Sequence, residues 1–324
     1  MTKKYLITGG SGFIGASITK ALLENKKKVT VIDNNQRGSL QKLNLKDKNL
    51  KFIKGDIRNK KILDKACKNI DVIIHCAYVN GTKTFYEKPD LVLEIAVEGM
   101  VNLIKACKRK NIKEFYLISS SEVYYHPKKI PTPENIPLII PDIMNPRFSY
   151  SGGKIISELM TIHNLKKYVN KRVIVRPHNV FGPDMGWEHL IPEIIKKIFF
   201  QSNGFKKKTI KLKIQGNGTE TRAFTYIDDF VNGFLLLLKK AKDSHIYHIG
   251  NNKEVTIKYI LNNISSSLGI KIKLIKSKLL KGSTPRRCPD ISKIKKLGFK
   301  IKTDLKKNIF ITSNWYKKKL LKNF

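Results

Sequence analysis

The tightest constraint on this chain sits in its first fifteen residues. Tyr5-Leu6-Ile7-Thr8 reads as a short buried strand, and Gly9, Gly12 and Gly15 follow at three-residue intervals. Phe13, Ile14, Ile18, Ala21 and Leu22 then recur at helical spacing. A strand that turns directly into a helix over glycines brings backbone where a side chain would obstruct. The early glycines allow a tight turn and close approach to a pyrophosphate, the last allows helix to pack on strand, and the helix N-terminus favours anions. The spacing is not that of the G-x-G-x-x-G fingerprint, but the mechanics carry over. An acidic residue, Asp33, ends the next strand, Val29-Thr30-Val31-Ile32-Asp33. A carboxylate there accepts hydrogen bonds from ribose hydroxyls and repels a 2′-phosphate, which favours NAD over NADP. Arg37 stands close enough to soften that preference.

The alternation continues. Leu50-Lys51-Phe52-Ile53-Lys54, Val72-Ile73-Ile74-His75, Phe115-Tyr116-Leu117-Ile118 and Val173-Ile174-Val175-Arg176 read as strands. Helical patterns separate them, including a long one opened by Pro89-Asp90 and one carrying Tyr150. This predicts an α/β fold with a doubly wound parallel Rossmann sheet. After about Gly182 the elements become shorter and mixed. We expect residues 1–185 and 220–250 to form the dinucleotide-binding domain, and residues 186–219 and 251–324 a smaller C-terminal substrate-binding lobe. Ligands in such folds sit at the carboxyl ends of the strands. Asp56, after Gly55, either meets the adenine there or caps the helix starting near Asn59.

Composition narrows the function classes. The formal net charge is +39, which invites a nucleic-acid partner. The lysines, however, are spread along the whole chain among abundant isoleucine and asparagine, a pattern of codon bias on exposed positions rather than of a binding stripe. We therefore expect no nucleic-acid role and a positive field that helps capture a polyanionic small molecule. No run approaches the roughly 18 apolar residues of a membrane span, and no apolar leader follows Met1. Cys67, Cys76, Cys107 and Cys288 fit neither a zinc motif nor a disulfide framework, so we expect no metal and a reducing, cytoplasmic setting.

Tyr150 and Lys154 carry the chemistry. On a helix, positions i and i+4 share a face. A free tyrosine titrates near 10, so a base working near neutrality needs a shift of about three units, or about 4 kcal/mol. An ammonium and a cationic nicotinamide in a poorly solvated cleft supply such a shift. Ser119-Ser120-Ser121-Glu122-Val123-Tyr124 closes the fifth strand and brings a hydroxyl to the same place.

With these segments in order, followed by Arg176-Pro177-His178-Asn179-Val180-Phe181-Gly182-Pro183 and Tyr226-Ile227-Asp228-Asp229, the chain resembles an extended short-chain dehydrogenase/reductase of the NAD-dependent nucleotide-sugar epimerase/dehydratase family. The likeness covers nearly the whole length. It implies NAD contacts from Gly9, Gly12, Phe13, Ile14, Gly15, Asp33, Asn34, Asp56, Ile57, Ala77, Tyr150, Lys154 and Pro177. It makes Tyr150 the general base and acid, gives Lys154 the nicotinamide ribose, and gives Ser120 the sugar 4-hydroxyl. Asn179, Arg222 and either Arg286 or Arg287 are assigned to the substrate's phosphates, where the planar guanidinium fork suits the ligand. It also implies a homodimer packed through the Pro89–Lys108 helix and the Tyr150 helix. Tyr125 stands where glycine often follows Val-Tyr, and Ala96 where the long helix often carries asparagine.

The shared first step is removal of the 4-hydroxyl proton with hydride transfer to NAD. The resemblance leaves the outcome open among a 4-epimerase of the UDP-glucose type, a 4,6-dehydratase and a UDP-glucuronate-type decarboxylase. Glu122 bears on this. Dehydratases of the dTDP-glucose type usually carry an Asp-Glu pair where this chain has Ser121-Glu122, which weakens that reading, whereas Ser-Glu here also resembles nucleotide-glucuronate decarboxylases and GDP-mannose dehydratases. A non-catalytic dinucleotide- or RNA-binding module is the alternative from another class, and the intact Ser120, Tyr150 and Lys154 oppose it.

Overall fold

The computed structural model describes residues 3–278 and 284–323. The extreme ends of the two expected lobes, and residues 279–283 of the second, lie outside the described residues. Strands β1 (Lys4–Thr8), β2 (Lys28–Asp33), β3 (Leu50–Lys54), β4 (Val72–His75), β5 (Glu114–Ile118) and β6 (Lys171–Pro177) alternate with helices. These are α1 (Phe13–Glu24), α2 (Lys60–Ala66), α3 (Thr82–Glu87), α4 (Pro89–Lys110) and α5 (Phe148–His163). Then come β7 (Val180–Phe181), α6 (Leu190–Gln201), β8 (Thr209–Lys213), β9 (Thr221–Arg222), β10 (Thr225–Tyr226), α7 (Ile227–Lys240) and β11 (His245–Ile249). The chain closes with β12 (Val255–Thr256), α8 (Ile257–Leu268), β13 (Lys271–Ile275), β14 (Arg286–Arg287), α9 (Ser292–Lys295) and α10 (Leu305–Asn323).

Seven strands form the main sheet in the order β11-β6-β5-β4-β1-β2-β3, and every pairing is parallel. This is the expected doubly wound α/β architecture. Successive strand residues face opposite layers. Leu6, Ile73, Phe115 and Ile174 join one apolar cluster with α2 and α4. Ile7, Ile74, Tyr116 and Val175 join another with α1 and α7. That second cluster runs on without a break through Ile194 of α6, Leu212 of β8, Ile260 of α8 and Ile309 of α10, so these later elements share one core with the sheet.

Strand order reverses between β1 and β4, and the crevice this opens is where ligands of such sheets sit. Gly9 turns there with φ +67, and a Cβ on it would come within 2.6 Å of the Ala77 backbone beyond β4. A Cβ on Gly15 would meet the Gly9 carbonyl at 2.2 Å. Both contacts are with backbone and have no side chain to yield.

Two local features depart from the sequence pattern. Helix α3, inside the β4-to-α4 connection, has six residues and buries only Phe85, too little for a periodicity to show. Tyr125 adopts φ +53 with ψ −102, a sparsely populated combination that costs a side-chain-bearing residue about 1–3 kcal/mol, which explains why glycine suits this position. Its ring packs on Phe148 at 5.4 Å.

Gly15→Ala should therefore cost about 1–3 kcal/mol as an overpacked contact, despite the better helix propensity of alanine. The checks are the thermal midpoint and the amount of dinucleotide that copurifies. Both should fall.

Candidate active site

A cleft of about 460 Å³ opens over the glycine turn. Gly9, Gly12, Phe13, Ile14 and Gly15 line it from the first turn, Asp33 and Asn34 after β2, Asp56 and Ile57 after β3, and Ala77 after β4. Tyr150 and Lys154 of α5 and Pro177 at the end of β6 complete the set that the sequence singled out for a dinucleotide. Asp33 is 8% exposed. Its carboxylate accepts the Ser11 amide at 3.0 Å and the Asn35 amide at 2.8 Å, which ties the glycine turn to the tip of β2. Gly12, by contrast with Gly9 and Gly15, has no close neighbour beyond the Gly9 carbonyl at 3.2 Å. The turn thus leaves open backbone facing the cleft, a shape that fits a pyrophosphate at a helix N-terminus.

The capping role considered for Asp56 belongs to Asn59, whose Oδ1 accepts the Ile62 amide at 3.1 Å. Asp56 instead pairs with Arg58 at 2.9 Å and accepts from Asn34 at 3.2 Å, and Arg58 holds its carboxyl below the usual range. Arg37 turns across the cleft to Glu188 at 3.1 Å.

Ser120, Glu122, Tyr150 and Lys154 line the other end. Ser120 also starts a short 3-10 turn by accepting the Glu122 amide at 3.1 Å. The Tyr150 ring lies between Phe85, stacked at 4.7 Å, and Tyr78, edge-on at 5.2 Å. Burial raises Tyr150 to about 12, against the opposing pull of a hydrogen bond with Ser120. The drop in pKa expected from Lys154 is thus not supplied by the protein's own groups. Lys154 stands one layer deeper, 5.8 Å from the Tyr150 ring centre. Its Nζ donates to the Ile118 carbonyl at 2.8 Å, and burial lowers it to about 7. Ser120 and Tyr150 line the same end of the cleft, and the ammonium backs them.

Glu122 is half-buried. Burial raises its pKa, but Arg287, Arg147 and Arg222 outweigh this and bring it down to about 2. Arg287 bonds it at 2.5 Å, and Arg147 lies 3.8 Å away. Strands β9 and β14 place Arg222 and Arg287 as direct partners. Of the residues expected at the substrate's phosphates, Asn179 and Arg287 line the cleft. Arg286 does not; it is exposed and paired with Glu254 at 2.6 Å. Arg222 also stays off the cleft wall and donates to the carbonyls of Thr221 and Pro285.

The model of the NAD dependent epimerase/dehydratase family matches residues 5–250. The chain belongs to this family. It is 30% identical over 318 residues to a putative UDP-glucose 4-epimerase of Methanocaldococcus jannaschii, covering 96% of this chain and 98% of that protein. It superposes with TM-score 0.86 and 27% identity on a UDP-N-acetylglucosamine 4-epimerase from Methanobrevibacter ruminantium solved with UDP-N-acetylmuramic acid, over 98% of this chain and 99% of the other. A dTDP-glucose 4,6-dehydratase from Streptomyces venezuelae, solved with NAD, gives TM-score 0.84 and 25% identity over 97% of both chains. Epimerases and dehydratases of the family thus share this fold.

Arg147, Phe85 and Tyr78 also line the cleft and belong to no motif named above. Arg147 stands three residues before Tyr150, outside the Tyr-x-x-x-Lys spacing. Phe85 sits on the short α3. Tyr78 directly follows His75-Cys76-Ala77, and only the fold shows it against Tyr150 and Lys154. Trp187 packs on Tyr316 at 4.8 Å and plays no part in the cleft wall. Among the described residues no group of His, Cys, Asp or Glu could hold a metal ion, and no helix is long and apolar enough to cross a membrane.

The Glu122 pairing has a measurable pH signature. A depressed carboxylate pKa contributes stability that is present above the unfolded value and lost as pH falls through the folded one. For Glu122 that window runs from about 4.5 down to about 2. Arg287→Met should lower the thermal midpoint at pH 6, and the gap to the wild type should shrink as pH drops from 5 toward 2. A gap independent of pH would show that the pairing does not contribute.

Proposed function

We propose that this chain is a nucleotide-sugar 4-epimerase that retains NAD. The observation that carries the reading is that Ser120, Tyr150 and Lys154 line one end of the cleft beside a Glu122 held as an anion. In this reading Tyr150 takes the proton from the 4-hydroxyl and returns it. Ser120 hydrogen-bonds the same oxygen. Lys154 and Asp33 hold the two riboses of the cofactor, and the open turn at Gly12 takes its pyrophosphate. Arg287 takes the substrate's diphosphate, with Arg222 beside it and Asn179 across the cleft.

NAD, when bound, supplies reversible hydride acceptance and a positive charge beside Tyr150. The chain alone keeps the proton on Tyr150, and bringing its pKa from about 12 to neutrality takes roughly 7 kcal/mol. Such a sum is within reach of full charges at short range in a dry cleft, so Tyr150 becomes a base only in the assembled site.

Dehydration needs an acid that protonates a leaving hydroxyl. Glu122, held as an anion by its arginines, does not supply that acid, and Ser121 stands where the dTDP-glucose dehydratases carry their second carboxylate. A uronate decarboxylase is the second reading, favoured by the excess of arginines around Glu122, which would suit a substrate carboxylate.

The test is incubation of the purified chain with UDP-, GDP-, dTDP- and CDP-sugars, with products followed by NMR. A C4 epimer without net NADH is expected; loss of water or carbon dioxide would replace this reading with one of the others. Tyr150→Phe should lower turnover by roughly 10²–10⁴-fold while dinucleotide still copurifies.

We also propose that the enzyme is a homodimer through α4 and α5. These helices pack on each other and leave Leu93, Val97, Ile156 and Leu159 exposed. Val97→Glu combined with Leu159→Glu should yield a monomer by sedimentation velocity. An unchanged sedimentation coefficient would remove this interface.

A further inference from the structure

We infer that Tyr78 is a positioning residue for Lys154: its ring face holds the buried ammonium by a cation–π contact, in a slot opened by Gly153 and Ala96. The inference rests on the reading of Tyr150 and Lys154 as the working pair, and it adds a residue that the motifs did not single out.

The geometry is direct. The Lys154 Nζ lies 3.7 Å from the Tyr78 ring centre, well inside the roughly 6 Å reach of such contacts. The same ring stands edge-on to Tyr150, with an interplanar angle of 88°. One aromatic side chain therefore touches both members of the pair. Lys154 is 3% exposed, and a buried ammonium needs compensation.

The other groups around it supply little. Its nearest hydrogen-bond acceptor is the Ile118 carbonyl of β5. From the end of β4 it feels Cys76 and His75, and from its own helix Glu158. Glu158, however, is committed to Arg176 and Ser119, and α4 faces this region with Ala96. Of the two rings within reach, Tyr150 stands at 5.8 Å and Tyr78 at 3.7 Å, so Tyr78 offers the charge the nearer negative face.

The slot is built for this ring. A Cβ on Gly153 would lie 2.2 Å from the Tyr78 hydroxyl and 2.7 Å from the Ala96 Cβ. Glycine inside a helix costs about 1 kcal/mol relative to alanine, and here it makes the room that the ring occupies. The absence of a side chain at Gly153 is thus what admits Tyr78 here. The hydroxyl itself is buried with no partner, so the ring face, not the oxygen, carries the role.

The test uses the purified full-length chain labelled with [¹⁵N]lysine. The Nζ resonance absent from Lys154→Arg reports the titration of Lys154 directly, with no need of a substrate. In Tyr78→Phe the titration should stay within about 0.3 pH unit of the wild type. In Tyr78→Leu it should fall by roughly one unit, a tenfold change in the protonation equilibrium. Gly153→Ala, which pushes the ring out from the opposite side, should move it in the same direction and serves if Tyr78→Leu does not fold. The alkaline limb of kcat should shift with it, at unchanged KM.

A Tyr78→Leu titration equal to the wild type would overturn the inference, as would a Tyr78→Phe shift as large as that of Tyr78→Leu. Should Gly153→Ala have to stand in, an unshifted titration there would overturn it equally. If the Nζ shifts appear but no nucleotide sugar is epimerised, the positioning role stands and the proposed function falls.

Discussion

The structure depends on one close approach of backbone to backbone. Gly9 leaves β1 and passes against Ala77 beyond β4 with no room for a Cβ between them. This contact lies where the strand order reverses, so it sets the spacing of the two halves of the sheet and the width of the crevice between them. Gly15 packs on Gly9 in turn and fixes the direction of α1. The open backbone at Gly12, the carboxylate of Asp33 and the Tyr150 end of α5 are all placed relative to this crossing.

The far end of the cleft is held by buried polar contacts. Glu158 of α5 forms an ion pair with Arg176 of β6, and both residues are almost fully buried. Ser119 also bonds Glu158 at 2.5 Å, and Tyr124 bonds His248 at 2.6 Å. Removing one partner of such a pair leaves a buried charge and costs about 3–5 kcal/mol. The pair anchors α5, one turn beyond Lys154, to the sheet. The same desolvation that makes this anchor strong also raises Tyr150 and lowers Lys154. Both groups are thereby biased toward their neutral forms, and the charge of the bound cofactor has a large bias to overcome.

Much of this was legible in the residues. The central strands β1, β4 and β5 appear in the sequence as apolar runs because parallel strands covered on both faces are apolar throughout. The cleft-facing glycines, Asp33 and the Tyr150–Lys154 pair could be placed from their positions at element ends. Other features were not legible. Choosing between Arg286 and Arg287 required the short β14, where alternation turns one side chain inward and the other out to Glu254. Glu122 was visible as a carboxylate, but its ionisation depends on arginines 25, 100 and 165 residues away along the chain.

The sequence by itself determined the layer architecture, the glycine turn and the placing of Tyr150 and Lys154 on one helix face. Each depends on spacing within a few residues, and local periodicity carries that information directly. Tertiary structure alone decided the electrostatic state of the site. The pKa of Tyr150, the anion at Glu122 and the aromatic wall of Tyr78 over Lys154 arise from groups brought together by parallel crossovers. Burial and charge act through space, and no local pattern records them.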